Sequence, residues 1–234
     1  MNILPSAMQS IVREIEERCG RAIGLRPLPD NFRMAMGDCP AIQIEGDYRG
    51  PLVNLMIPSG LTPPAHMIAH EILHAKDVVL DGAPILQRRT GSPALVDTAI
   101  NNDAAHLGII PQEIGVFPEA EAFWSNDFER GLRDFVDRAK SDSRNSALRN
   151  DILRLRLVTS LVLPRWPHAG QLQDLIIKLN IANDAASLRF AHEKAGGRRL
   201  HILSNFVRFH RLKPEDYVAL YVASAPVRLP AHCD

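Results

Sequence analysis

The sequence predicts an α+β fold in which a small antiparallel sheet packs on one buried helix and a mostly helical C-terminal region follows. Residues 22–58 contain short alternating or apolar runs separated by turn-forming residues, a pattern typical of antiparallel strands. Residues 64–77 have the apolar composition of a helix packed into a core. After Gly82 the strand pattern gives way to helical periodicity. With 234 residues, 46% of them apolar, the chain is long enough to bury a core.

The first expected element is an amphipathic helix over residues 6–19, which ends before Gly20. Its apolar positions have helical spacing, and they are Met8, Ile11, Val12 and Ile15. Acidic residues interrupt the first 20 positions, so we expect no secretory signal peptide.

Two strands are expected next, at residues 41–45 and 52–57, with a Gly- and Pro-containing turn between them. The segment Ser59–Pro64 then interrupts the chain. Thr62 or a neighbouring residue can cap the following helix, with Pro63 or Pro64 in its first turn. The predicted sheet therefore leads directly into the helix that carries the chemistry.

The remainder of the chain is predicted to be helical. Segments with helical periodicity are separated by prolines, and they are residues 93–107, 119–138, 144–162, 171–179, 184–194 and 198–210. Residues 139–150 are polar enough for an exposed linker. This predicts a catalytic core over residues 1–140 and a helical C-terminal region over residues 141–234, with a single domain as the alternative.

The chemistry is concentrated in the H-E-x-x-H pattern of His70, Glu71 and His74, within the helix-forming segment. Histidines four positions apart lie one turn apart on the same helix face, so their imidazoles can bind one Zn²⁺. Glu71 can take a proton from a metal-activated water, as the catalytic base. The alternative is a structural pair of histidines, either exposed or satisfied within the core.

The motif resembles the active-site helix of the zincin metallopeptidases, and the resemblance covers residues 64 to about 113. It is closest to the gluzincin arrangement, because residues 75–81 lack the Gly and His that follow the motif in metzincins. Residues 99–106, Ala-Ile-Asn-Asn-Asp-Ala-Ala-His, are similar to the Asn-Glu-containing helix of gluzincins, with Asp103 where that group has Glu. The resemblance implies zinc-dependent hydrolysis of peptide bonds, with a third ligand from this later helix.

The third ligand is expected to be His106 or Asp103, which are three residues apart on one helical face. The resemblance aligns Asp103 with the acidic ligand. Asp is one methylene shorter than Glu, however, so its helix would have to come closer to make a carboxylate–zinc bond of roughly 2.0–2.2 Å. Histidine is also the commoner ligand in general. We therefore assign the metal to His70, His74 and His106 in preference to Asp103, and expect Asp103 or Asn102 to hydrogen-bond a ligand imidazole.

Three further residues near the motif have two interpretations each. His66, one turn before His70, either lines the cleft or is a partly exposed histidine, and the second interpretation is favoured. Asp77 either hydrogen-bonds a ligand imidazole or is solvated near the helix end. Glu113 either faces the substrate or, as favoured here, is a surface residue at the start of another helix.

The predicted function is that of a zinc metallopeptidase acting on a peptide or protein substrate. One alternative is another amide or ester hydrolase with the same ligands. A second is a non-catalytic helical binding module, in which zinc or an unmetallated HExxH helix stabilises the fold.

Composition narrows the expected partners and compartment. Basic and acidic residues balance at 27 each, so we expect no nucleic-acid partner. No apolar run approaches the roughly 20 residues that span a bilayer, so we expect no membrane association. The cysteines, Cys19, Cys39 and Cys233, are scattered and odd in number, which favours reduced thiols in the cytoplasm.

Overall fold

The computed structural model describes residues 4–30, 39–47, 50–90, 95–221 and 227–229. In chain order, its helices are α1 (Ser6–Cys19), α2 (Ala65–Val79), α3 (Leu95–Val116), α4 (Ala120–Ser141), α5 (Ser146–Val162), α6 (Ala169–Lys178), α7 (Ala182–Ala195) and α8 (Arg199–Phe209). Its strands are β1 (Gly24–Pro27), β2 (Ala41–Asp47), β3 (Gly50–Ile57), β4 (Ile85–Arg88), β5 (Tyr217–Leu220) and β6 (Val227–Arg228). The predicted α+β class is confirmed. Cys233, the predicted helix start at Pro93, and residues 31–38 and 48–49 of the predicted sheet lie outside the described residues.

The chain divides into two compact units. The first contains the described residues up to Ile85 and the short segment Gly115–Phe117, and the second contains most of the described residues from Leu86 to Ala219. The boundary predicted between residues 140 and 141 falls in the last turn of α4, and it stays a prediction.

The sheet of the first unit has the strand order β1–β3–β2, so β3 is central. Strands β2 and β3 pair antiparallel, as predicted, but β1 runs parallel to β3 with Gly24 opposite Asn54. Helices α1 and α2 contact each other, and both contact β3. Fully buried residues such as Met8 of α1, Leu55 of β3 and Ile72 of α2 form the core that holds the motif helix in place.

The parallel pairing of β1 depends on the absence of a side chain at Gly24. A Cβ atom at this position would collide with the Oδ1 atom of Asn54 on the neighbouring strand. Asn54 is itself buried, and its Oδ1 atom has no hydrogen-bond partner among the described residues. A side chain at residue 24 would therefore require the Asn54 amide to move.

Helix α2 begins directly after Pro64, whose carbonyl oxygen accepts hydrogen bonds from the backbone N–H groups of Met67 and Ile68. The N-cap is Pro64, a neighbour of Thr62, and no side chain caps the helix; the predicted place of Pro63 or Pro64 in the first turn is wrong, because both precede Ala65. Proline fits here because it has the extended backbone of a cap residue and lacks an N–H group to satisfy. The helix ends before Gly82, which has a φ of +68°.

In the second unit, α5 contacts α4, α6 and α7, and α7 contacts α8. The predicted helices agree with the observed ones to within a few residues, with one exception. Helix α3 continues through Pro111 to Val116, whereas the sequence predicted a break at this proline. Pro111 is solvent-exposed, and Ile109, Ile110 and Glu113 beside it are buried. This packing offsets the one backbone hydrogen bond that the proline removes.

A second sheet, with the order β4–β5–β6, was not predicted from the sequence. A buried polar network joins it to α3: Asp97 accepts hydrogen bonds from the Arg88 guanidinium (2.7 and 3.3 Å) and from the Tyr217 hydroxyl (2.9 Å). Burial and the hydrogen bond to Asp97 raise the pKa of Tyr217 to about 12. These contacts fix the N-terminal half of α3, the helix on which the other predicted ligands lie.

Candidate metal centre

The two histidines of the motif face each other on α2. His70 is 7% exposed and His74 is half-buried, and their Nε2 atoms are 3.2 Å apart. The rings are nearly perpendicular, with an interplanar angle of 80° and centroids 4.8 Å apart. Two nitrogens bound to one tetrahedral zinc at about 2.0–2.1 Å are themselves about 3.3–3.4 Å apart. The pair therefore already has the spacing that a shared metal ion requires.

This spacing is equally compatible with a hydrogen bond between the two rings when one Nε2 atom carries a proton and the other does not. A metal bound between them would need a lone pair on both Nε2 atoms, and the ring protons would then lie on Nδ1. The geometry thus supports two states of the same pair, one with a shared proton and one with a metal.

His106 supplies a third imidazole. One candidate ligand nitrogen from each of His70, His74 and His106 lies within 4.8 Å of the others. Within the described part of the chain, these three side chains form the group of potential ligands that could hold a metal ion. His106 is half-buried on α3. Three imidazole nitrogens are a typical donor set for zinc, and they leave the fourth tetrahedral position open.

Asp103 is not part of this group. Its carboxylate forms a hydrogen-bonded ion pair with the guanidinium of Arg154 on α5, and each side chain is 17% exposed. Arg154 also contacts Asp151, with 3.2 Å between Nη1 and Oδ1. Burial raises the pKa of Asp103, and the charge of Arg154 opposes that rise. The carboxylate that the sequence offered as an alternative ligand is thus engaged by an arginine.

Glu71 is half-buried on α2, next to the first motif histidine. Consecutive helix positions are separated by about 100°, so its side chain leaves α2 about 100° from that of His70 and about 60° from that of His74. It can flank a ligand held by the pair without being a member of the ligand set. This is the placement that a proton acceptor needs.

Two of the flanking residues differ from the favoured interpretations. His66 is buried, at 7% exposure, so the prediction of a partly exposed histidine is wrong. Glu113 is 1% exposed and lies inside α3, so the prediction of a surface residue at a helix start is also wrong. Both errors have a physical cause: α2 packs its first turn into the core, and α3 does not break at Pro111. Asp77 is half-buried near the end of α2.

Sequence reasoning missed one residue beside His106, the indole of Trp124 on α4. The His106 and Trp124 rings have centroids 5.3 Å apart at an angle of 57°, and the indole N–H donates a 2.9 Å hydrogen bond to Oε2 of Glu113. Glu113 could have been found from the sequence if the helix had been continued through Pro111. Seven residues make nearly two turns, so Glu113 would then lie on the same face as His106. Nothing in the sequence pattern indicated Trp124.

Among the described residues, no helix has both the length and the apolar character needed to cross a lipid bilayer. No family model, curated protein or solved structure matched this chain, so the interpretation of the metal centre rests on its own residues.

Proposed function

We propose that this chain is a cytoplasmic zinc-dependent hydrolase that cleaves peptide bonds, with His70, His74 and His106 as ligands and Glu71 as the proton acceptor. The observation that carries the proposal is the convergence of one nitrogen from each of the three imidazoles, two of them from the H-E-x-x-H motif.

The spacing supports zinc as the ion. The 3.2 Å separation of the motif nitrogens agrees with the value of about 3.3–3.4 Å expected around tetrahedral zinc. The ligand nitrogens of all three histidines lie within 4.8 Å of one another. Imidazole also suits other divalent transition metals, so the ion is assigned from the donor set and its geometry.

When bound, zinc supplies Lewis acidity, which lowers the pKa of a coordinated water and polarises a substrate carbonyl. The three histidines would hold the ion through one nitrogen each. Glu71 takes a proton from the attacking water on its carboxylate and delivers it to the nitrogen of the leaving amine.

The decisive experiment compares metal content and hydrolysis in single variants. Wild-type protein should contain about one zinc per chain, and His70→Ala or His74→Ala should lose it. His168→Ala, a half-buried histidine remote from the motif in sequence, is the matched control and should keep the metal. Full retention of zinc in both motif variants would contradict the site.

Glu71→Gln separates catalysis from metal binding. The amide fills the same space but cannot take the proton, so the variant should keep zinc and lose nearly all cleavage of an unfolded protein substrate. Glu121→Gln, at an exposed position on α4, is the control for the chemical change. If Glu71→Gln cleaves at the wild-type rate, or if zinc removal only unfolds a protein without activity, the metal is structural and the enzyme proposal is wrong.

A further inference from the structure

We propose that Glu113 and Trp124 form a positioning device for His106, in which the carboxylate holds the indole and the indole fixes the imidazole. The role of this device in metal binding rests on the function proposed above. The positioning itself is a property of the metal-free protein and is tested separately.

The three residues form a continuous chain of contacts. Glu113 follows His106 by seven residues on the unbroken helix α3, so the two side chains leave the helix within about 20° of each other. Trp124 of α4 contacts both: its ring lies 5.3 Å from the imidazole, and its N–H group donates to the Glu113 carboxylate at 2.9 Å. The indole therefore bridges two positions of the same helix face.

The indole is well fixed, which is what a positioning surface requires. Trp124 is 8% exposed, and Phe123 and Phe128 pack against it at centroid distances of 5.3 and 5.9 Å. Its hydrogen bond to Glu113 is buried, and a buried hydrogen bond is costly to break. Rotation of the indole would break this bond and disturb the aromatic packing together.

Such support bears directly on His106. It is half-buried, and its imidazole is oriented by two side-chain torsions. A fixed indole face restricts the orientations of the imidazole before the metal binds. This lowers the entropy cost of ordering the side chain on metal binding. Loss of a group that orients a ligand typically weakens metal binding by about 10–100-fold.

The test uses Glu113→Leu, which removes the acceptor, and Glu113→Gln, which keeps one. The ring-proton resonances of His106 are assigned by their absence in His106→Ala and are recorded on metal-free protein. Glu113→Leu should shift them, because the indole loses its hydrogen bond, and Glu113→Gln should leave them close to wild type. Trp166 provides the control, since its ring lies 5.5 Å from that of His168: Trp166→Phe should shift the His168 resonances and not those of His106.

Zinc affinity supplies the second measurement. Glu113→Leu and Trp124→Phe should each weaken binding by about 10–100-fold, and Glu113→Gln should restore most of the affinity. The two losses should not add in the double variant, because Glu113 acts through Trp124.

Unshifted His106 resonances in folded Glu113→Leu, or losses that add fully in the double variant, would overturn the positioning role. If Glu113→Leu fails to fold, Trp124→Phe decides the same question: it removes the N–H donor, so the His106 resonances should shift and the zinc affinity should fall, and unshifted resonances would overturn the positioning role. A wild-type protein that binds no zinc would contradict the proposed function, while the resonances would still decide the positioning.

Discussion

Replacing Asp103 with alanine should destabilise the protein and leave its zinc affinity nearly unchanged. Replacing His106 with alanine should weaken zinc binding and leave the stability nearly unchanged. The reason is that the Asp103 carboxylate is paired with Arg154, while a nitrogen of His106 lies within 4.8 Å of nitrogens of both motif histidines. From the sequence, either residue could be the third metal ligand. In the structure, Asp103 pairs with Arg154, whereas His106 contacts Trp124.

The size of the stability loss follows from the burial of the pair. Breaking a fully buried ion pair by removing one partner costs about 3–5 kcal/mol, and breaking an exposed one about 0–1 kcal/mol. Asp103 and Arg154 are each 17% exposed, and Arg154 keeps Asp151 as a second partner, so an intermediate cost applies. We expect the free energy of unfolding to fall by about 1–3 kcal/mol, which for a chain of this size lowers the melting temperature by about 2–12 °C.

The assay combines urea unfolding of the metal-free variants with zinc titration of the folded proteins. Asp103→Ala should bind zinc within about 10-fold of wild type, below the 10–100-fold loss typical of an outer partner of a ligand. His106→Ala should lose more than about 100-fold and keep its stability within about 1 kcal/mol. A collapse of zinc affinity in Asp103→Ala beside a mild loss in His106→Ala would refute the assignment and make Asp103 the ligand.

Three further predictions concern the scaffold. Burial lowers the pKa of His210 to about 4, so its neutral form is favoured in the folded state; stability should fall by roughly 1–2 kcal/mol, after discounting for partial exposure, as the pH drops from 7.5 to 5, and His210→Gln should lose less in the same urea titrations. Tyr217→Phe removes the 2.9 Å hydrogen bond to Asp97 and should cost about 1–2 kcal/mol in urea unfolding; a cost near zero would contradict the network. Gly24→Ala should cost about 1–3 kcal/mol through the clash with Asn54, and Asn54→Ala in the same chain should recover part of that loss, whereas equal losses in the single and double variants would contradict the clash.

The sequence predicted well those features that depend on neighbouring residues. The motif helix could be located because flanking prolines and apolar composition agree over residues 64–77, and α2 spans Ala65–Val79. The six-helix C-terminal pattern could be predicted for the same reason. The facing of His70 and His74 needed only the helical repeat.

The predictions that were wrong or missing concern features that depend on residues distant in the sequence. Strands β4 and β5 have four residues each and β6 has two, and such short strands are defined by the strand they pair with and not by their own pattern. Pro111 is a helix breaker by local rules, and only the buried residues on either side of it explain why α3 continues. One further error is local: Pro63 and Pro64 precede α2, because Pro64 has the extended backbone of a cap residue.

Asp103 and His106 leave α3 at a small angle to each other, and this angle determines which neighbouring helix each side chain contacts. Three residues of an α-helix correspond to 300°, so the two side chains diverge by about 60°, and Glu113 lies a further 20° beyond His106. From the sequence, 60° counts as the same face. In the folded chain that angle separates the arginine of α5, which engages Asp103, from the tryptophan of α4, which contacts His106 and Glu113. Arg154 lies 51 residues from Asp103, so no local pattern could have assigned it. The long-range ion pair of Asp103 with Arg154 therefore supports our proposal that His106, and not Asp103, is the third ligand.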